Sequence, residues 1–181
     1  MKTHTVHLAL GSNLGDREAA LRGAVEAVGR LRGMRVVAVS HGYETAPWGV
    51  ADQPAFLNAA AVVATCLEPL EFLRALKDIE QQLGRAPGGP KWGPRVIDID
   101  IILWGDRVVS EPGLELPHPE FRRRAFVLAP LAEIAGGAVD PVTRLTVAEL
   151  ATRPEVEGTA IRSRSFWPRM NTDKHGQGQG N

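Results

Sequence analysis

The stretch WGPRVIDIDIILW, Trp92 to Trp104, decides how this chain is read. Val96 to Trp104 is dominated by β-branched and aromatic residues, which predicts a strand, and residues two apart on a strand share a face. On that pattern Val96, Asp98, Asp100, Ile102 and Trp104 point one way, and Ile97, Ile99, Ile101 and Leu103 the other. Two neighbouring carboxylates therefore sit among apolar groups, where uncompensated like charges are costly.

A divalent cation between them would remove that cost. Oxygen ligands on a rigid strand, with no Cys or His nearby, favour Mg²⁺ over zinc, and magnesium takes one or two carboxylates while substrate phosphates fill further positions. Arg95, three residues before Asp98, stands at the strand mouth, where a planar guanidinium can hold a phosphate by two hydrogen bonds. The alternative is a solvated polar face or an Asp–Arg ion pair, which an Asp-x-Asp pattern alone permits.

Before the strand lies GRAPGGPKWGPR, Gly84 to Arg95, whose prolines and glycines exclude regular structure and whose basic residues point to an anion-binding lid. An amphipathic helix is expected over Glu68 to Leu83, with Pro69 in its first turn and Leu70, Leu73, Leu76, Ile79 and Leu83 as its apolar stripe. Phe56 to Thr65 reads as a strand with Asn58 among apolar residues on the face of Phe56 and Ala60. A buried amide there needs partners, either structural or a ligand. The turn-rich segment His41 to Pro54 is too long for a simple hairpin connection, a property of functional loops.

Nearer the N-terminus, strands are expected at Thr5 to Leu10 and Arg35 to Ser40, with a helix from Arg17 to Arg32 between Asp16 as N-cap and Gly33 as C-cap. The loop GSNLGD, Gly11 to Asp16, lacks the lysine of a P-loop and the third glycine of a dinucleotide fingerprint, so as a phosphate motif it is weak. Downstream, Gly105-Asp106 signals a hairpin into Arg107–Val109. LPHPEFRRRAFVLAPLAEI, Leu116 to Ile134, combines a Pro-His-Pro turn holding His118, a basic run and an apolar helix, and Thr146 to Glu149 forms a capping box. The succession β-α-β-β-α-β fits a ferredoxin-like α+β fold with a mainly antiparallel sheet and helices packed on it, followed by an added C-terminal hairpin and helical part.

The composition agrees with one domain. The chain has 181 residues, 44% of them hydrophobic, enough for a single core, and Lys+Arg balance Asp+Glu at 21 each. That balance argues against nucleic acid and anionic membrane as partners. One cysteine, Cys66, fits a reducing compartment, and neither a signal peptide nor a membrane span is evident, so a soluble, cytoplasmic protein is expected.

Five segments, ALGSNLGD, YETAPWG, DQPAFLNAA, WGPRVIDIDIILWG and LPHPEFRRRAFVLAPL, in that order across roughly residues 5 to 150, resemble the 6-hydroxymethyl-7,8-dihydropterin pyrophosphokinases of folate biosynthesis. The resemblance implies transfer of diphosphate from ATP, as co-substrate, to the pterin hydroxymethyl group. It implies two Mg²⁺ ions on Asp98 and Asp100, with Arg85 and Arg95 as catalytic, phosphate-contacting arginines. It places Thr45, Ala46, Pro47, Trp48, Phe56, Asn58 and Phe126 around the pterin, and Glu80, Arg85, Lys91, Trp92, Arg95, Ile101, His118 and Arg124 on the ATP side. A monomer acting on small molecules is expected, with one domain over residues 1–153 and, where the periodicity is lost and the sequence becomes low-complexity, a partly disordered tail over 154–181. Three positions depart from the family's usual pattern. Pro87 stands where a second lid arginine is common, Ala46 where proline is frequent, and Pro119 where an aromatic would flank the adenine. Two rival readings are a ferredoxin-like binding module whose aspartates pair with arginines, and a nucleotidyl transferase of the polymerase-palm kind, against which the absence of a basic groove counts.

Overall fold

The computed structural model describes residues 2–46, 52–86, 93–163 and 167. Its main sheet contains β1 (His4–Ser12), β2 (Met34–Val39), β3 (Tyr43–Thr45), β4 (Phe56–Thr65), β5 (Asp98–Trp104) and β8 (Ile161–Arg162). A separate ribbon pairs β6 (Val109–Glu111) with β7 (Leu114–Leu116). The helices are α1 (Arg17–Arg30), α2 (Pro69–Gln82), α3 (Ala125–Ala135) and α4 (Val147–Ala151).

Every pairing in the main sheet is antiparallel, in the order β5-β1-β4, with β2 and β3 following each other along the far side of β4 and β8 beyond β3. With the order β5-β1-β4-β2 and the helices α1 and α2 between strands, this is the expected ferredoxin-like arrangement. Leu8, Leu10, Leu57, Ala59, Ala61, Ile99 and Ile101 pack on one side against Leu21, Ala24 and Val28 of α1 and Phe72, Leu76 and Ile79 of α2. The other side carries Ala60, Ile102 and Leu103, covered by Val127, Leu128 and Leu131 of α3 and Val147 and Leu150 of α4. Each fully buried Leu or Phe contributes roughly 1.5–3 kcal/mol, so both layers fix the sheet between them.

Local chemistry sets the helix ends. Asp16 accepts a 3.0 Å bond from Ala19 N and starts α1. The helix stops at Arg30, two residues earlier than expected, because Leu31 is already extended and Gly33, at φ 74°, turns the chain into β2. Pro69 opens α2 as expected, and the Thr146–Glu149 capping box opens α4.

Two further expectations are corrected. On β5, Leu8 lies opposite Ile101 and His7 opposite Leu103, so Ile102 is an extra residue, a bulge. The bulge moves Leu103 to the face of Asp98, Asp100 and Ile102, and turns Trp104 into the α1/α2 layer, edge-on to Phe72 at 5.8 Å. The segment His41 to Pro54 is not loop throughout, since Tyr43–Thr45 forms β3 against β4. The Gly105-Asp106 turn is present as expected, with Arg107 N on Trp104 O at 3.0 Å and Arg107 bridged antiparallel to Trp104, and from Val109 the chain pairs onward with β7.

Described residues after 153 pack onto the domain. Glu157 N donates to Arg123 O at 2.7 Å, β8 lines the edge of β3, and Trp167 Nε1 donates to Ser40 O at 2.6 Å. No helix among the described residues is long and apolar enough to cross a membrane.

Candidate active site

The unbulged half of β5 brings Asp98 and Asp100 onto the α3 face, opposite Gly11 and Ala9 of β1, and β4 places Asn58 on the other side of Gly11. Above them a cavity of about 550 Å³ opens between the sheet, the start of α3 and the turn before it. Asp98, Asp100, Arg95, His118 and Arg124 line one part, and Thr45, Ala46, Phe56, Asn58 and Phe126 another. The charged groups come from β5, its approach and the turn before α3, and the amide and aromatic groups from β4 and α3.

Asp98 is charge-compensated. Arg85 donates to its Oδ1 at 2.7 Å and Arg95 approaches the same oxygen at 3.3 Å. The ion-pair alternative therefore holds for Asp98 in this conformation. It does not extend to Asp100, which makes no ion pair among the described residues. Burial, and then the neighbouring Asp98 charge, push the Asp100 carboxyl above its ordinary range.

Glu80 of α2 and Ile101 do not line the cavity. Glu80 is buried behind β5, where Oε1 accepts from Ile99 N at 2.7 Å, Lys77 bonds both oxygens at 3.1 Å and Arg85 adds a further ion pair. Burial raises its pKa against the pull of Lys77, the Ile99 amide and Arg85. It holds Arg85 beside Asp98 and pins the strand between the two aspartates to α2. Ile101 points into the α1/α2 layer.

His118 is anchored by its backbone N–H on Ile102 O at 2.9 Å, and its Nδ1 accepts from Glu120 N at 3.2 Å. Burial and the Arg124 charge lower its pKa to about 4, so the ring is neutral near pH 7. The Glu120 bond then assigns the ring proton to Nε2, leaving that nitrogen as an N–H donor. Arg124 lies over the Phe126 ring at 5.6 Å.

Asn58, nearly fully buried, donates from Nδ2 to Thr45 Oγ1 at 2.7 Å. It thus has a structural partner and lines the cavity as well. Pro47, Trp48, Lys91 and Trp92, and the departure at Pro87, lie outside the described residues. The residue that sequence reasoning missed is Asn13, whose side chain joins Arg95 N at 2.8 Å to Gln53 Oε1 at 3.1 Å. Its only signal was its place in GSNLGD, where small and polar residues read as a tight connection.

Two carboxylates supply an all-oxygen donor set, which fits a hard cation such as magnesium with substrate oxygens as its further ligands. Carboxylates and guanidiniums stand at one end of the cavity and an amide with two aromatic side chains at the other, a lining suited to a small-molecule transferase that sets a polyphosphate beside a flat polar heterocycle. The chain belongs to the 7,8-dihydro-6-hydroxymethylpterin-pyrophosphokinase (HPPK) family, whose model matches residues 7–136.

Relatives agree. A 2-amino-4-hydroxy-6-hydroxymethyldihydropteridine pyrophosphokinase of Methylorubrum extorquens is 52% identical over 129 residues, covering 71% of this chain and 81% of the relative. Proteins of the same name from Pseudomonas aeruginosa (45% over 130 residues, 72% and 80% covered) and Bacillus subtilis (46% over 128 residues, 71% and 76% covered) are similar. A crystal structure of wild-type Plasmodium falciparum HPPK-DHPS shares the fold, with a TM-score of 0.67 at 18% identity over 83% of this chain. The chain spans 43% of that longer molecule.

Proposed function

We propose that the cavity between β4, β5 and α3 is where this pyrophosphokinase of folate biosynthesis carries ATP and 6-hydroxymethyl-7,8-dihydropterin to pterin diphosphate and AMP. The observation that carries the reading is the entry of Asp98 and Asp100 into the same cavity as Phe56, Asn58 and Phe126. The pterin would lie between Phe56 and Phe126, with Thr45, Ala46, Pro47 and Trp48 closing its edge and the Asn58 amide reading its heteroatoms. ATP would enter from the side of Arg85, Arg95, His118 and Arg124, with Glu80 and Ile101 as its supports and Lys91 and Trp92 from the lid.

The pterin hydroxyl oxygen attacks the β-phosphorus of ATP as the bond from that phosphorus to the oxygen shared with the α-phosphate breaks. AMP leaves with that oxygen, and the hydroxyl proton goes to solvent. Asp98 and Asp100 would hold two Mg²⁺ ions, which supply charge neutralisation and activation of the hydroxyl when bound. Arg85 and Arg95 move from Asp98 to the transferring diphosphate, where guanidiniums stabilise developing negative charge. His118 donates from Nε2 without adding charge.

The rival binding module accounts for Asp98, paired with arginines, but leaves Asp100 half-buried near a like charge with no ion pair among the described residues, only the more distant charges of Lys77, Arg124 and Arg85. The reading carries with it a monomeric, cytoplasmic enzyme of small molecules, which the balanced charge and single cysteine support, and a catalytic unit over residues 1–153. The test is release of AMP in stoichiometric amount with pterin diphosphate from Mg²⁺, ATP and the dihydropterin. ADP as product, or no AMP, would overturn it.

A further inference from the structure

Behind the pterin end of the cavity lies a polar cluster to which the chemistry above assigns no work. Glu133 is seven residues after Phe126 on α3, so the two share one face of the helix. Its Oε2 accepts from the Tyr43 hydroxyl at 2.7 Å, and its Oε1 accepts from His41 N at 3.1 Å with His41 Nδ1 2.5 Å away. Arg162 of β8 reaches the same cluster, 3.8 Å from Glu133 Oε1 and 2.8 Å from His41 Nδ1.

Tyr43 begins β3, a strand of three residues with a correspondingly short ladder. In register, Tyr43 faces Asn58 and Thr45 faces Phe56, and Tyr43 and Thr45, two apart, lie on the same face. Thr45 Oγ1 is the acceptor for Asn58 Nδ2. Whatever fixes Tyr43 against α3 therefore fixes the gap between Phe126, on one wall of the slot, and Asn58 with Thr45, on the other.

We propose that Glu133 is a positioning residue for the pterin: by holding Tyr43 and His41 to α3, with Arg162 as a brace from β8, it sets the width of the slot and the orientation of the Asn58 amide. This rests on the pterin assignment above. Arg162 lies beyond residues 7–136, so the brace draws on a part of the chain outside the stretch that matches the family model.

The experiment is steady-state AMP release by the full chain, with each substrate varied in turn, for wild type, Tyr43→Phe, Glu133→Gln, Glu133→Ala and Arg162→Ala, with a thermal melt of each. Tyr43→Phe, which removes one hydroxyl, is expected to raise the pterin KM about tenfold while kcat and the ATP KM stay within about twofold. Glu133→Gln keeps an acceptor for Tyr43, so it should raise the pterin KM less than Glu133→Ala, and Arg162→Ala should give a smaller rise of the same kind. A purely structural role would lower Tm and leave the pterin KM of the folded variants unchanged, which overturns the inference. If Glu133→Ala does not fold, Tyr43→Phe and Glu133→Gln decide. Wild type that releases no AMP would overturn the activity reading and this one together, whereas active wild type with an unchanged pterin KM in Tyr43→Phe overturns this one alone.

Discussion

Asn13 and Arg95 grip each other twice, through Arg95 N on Asn13 Oδ1 at 2.8 Å and Asn13 N on Arg95 O at 3.1 Å. The same side chain donates from Nδ2 to Gln53 Oε1 at 3.1 Å and Pro54 O at 3.3 Å. One buried amide therefore joins the loop after β1 to the approach of β5, which carries an arginine of the site, and to the approach of β4, which carries Phe56 and Asn58. Asn13→Ala leaves the Arg95 N–H and the Pro54 carbonyl without these partners, at an expected cost of about 1–3 kcal/mol. Because both approaches loosen, kcat/KM should fall roughly tenfold for ATP and for the pterin alike. Asn13→Asp keeps the acceptor for Arg95 N but loses the donor to Gln53 and Pro54, so it should fall between. Wild-type kinetics in Asn13→Ala would show that the two approaches are positioned independently.

Why Asn13 was illegible, while Asp98 and Asp100 were not, follows from how each signal is carried. The aspartates sit on a strand whose period of two is written in its apolar neighbours, and the pairing of β5 with β1 keeps that period as far as Ile101. It fails at the bulge, because an extra residue without a partner leaves no mark in a run of Ile, Ile and Leu; Trp104 was therefore assigned to the wrong face. β3 is three residues long within a turn-rich segment, too short for a periodic signal, and it exists through its pairing with β4. The ferredoxin-like order was readable because each main element has a strong local pattern. Asn13 and Glu133 bond to partners far along the chain, and Glu80 reaches the Ile99 amide 19 positions on; such long-range bonds have no local signature.

Asp100 combines burial, a like charge two residues away and no ion pair among the described residues. Neutralising it should relieve that repulsion in the protein without magnesium, so Asp100→Asn is expected to raise Tm by a few degrees. The same change removes a proposed metal ligand, and AMP release should drop by at least about a thousandfold. Calorimetry without Mg²⁺, beside the AMP assay, separates the two effects. A lowered Tm with normal turnover would return the pair to a structural role.

His118 gives a pH dependence of definite sign. Its pKa is about 4 in the folded chain against an ordinary 6.5 for histidine, so the unfolded chain binds more protons between those two values. The stability that neutral His118 contributes is fully present above about pH 6.5 and is lost as pH falls through about 4. Unfolding free energy should therefore decline on acidification across this window, and His118→Gln should flatten that part of the profile. The His118 ring resonances should not titrate between about pH 5.5 and 8. A midpoint near 6.5 would mean that the ring is solvated and free to protonate, and that the Nε2 donor assignment fails.

Gly11 pairs with Asn58 on one side and Asp98 on the other, so it lies between the two ends of the proposed chemistry. A Cβ there would stand 2.7 Å from Asn58 Oδ1, closer than carbon and oxygen tolerate, and 3.7 Å from the Phe56 ring. The Asn58 amide cannot swing away without giving up its 2.7 Å bond to Thr45 Oγ1 in a buried setting, where an unpaired amide is expensive. Gly11 itself needs no left-handed backbone, so alanine meets its obstacle in Asn58 and not in its own conformation. Gly11→Ala should thus fold, with Tm lowered by a few degrees, and raise the pterin KM about tenfold or more while the ATP KM stays within about twofold. Substrate-specific kinetics on the purified variant check it. An equal rise in both KM values would place the damage in the sheet as a whole, and an unchanged pterin KM would remove Asn58 from pterin recognition.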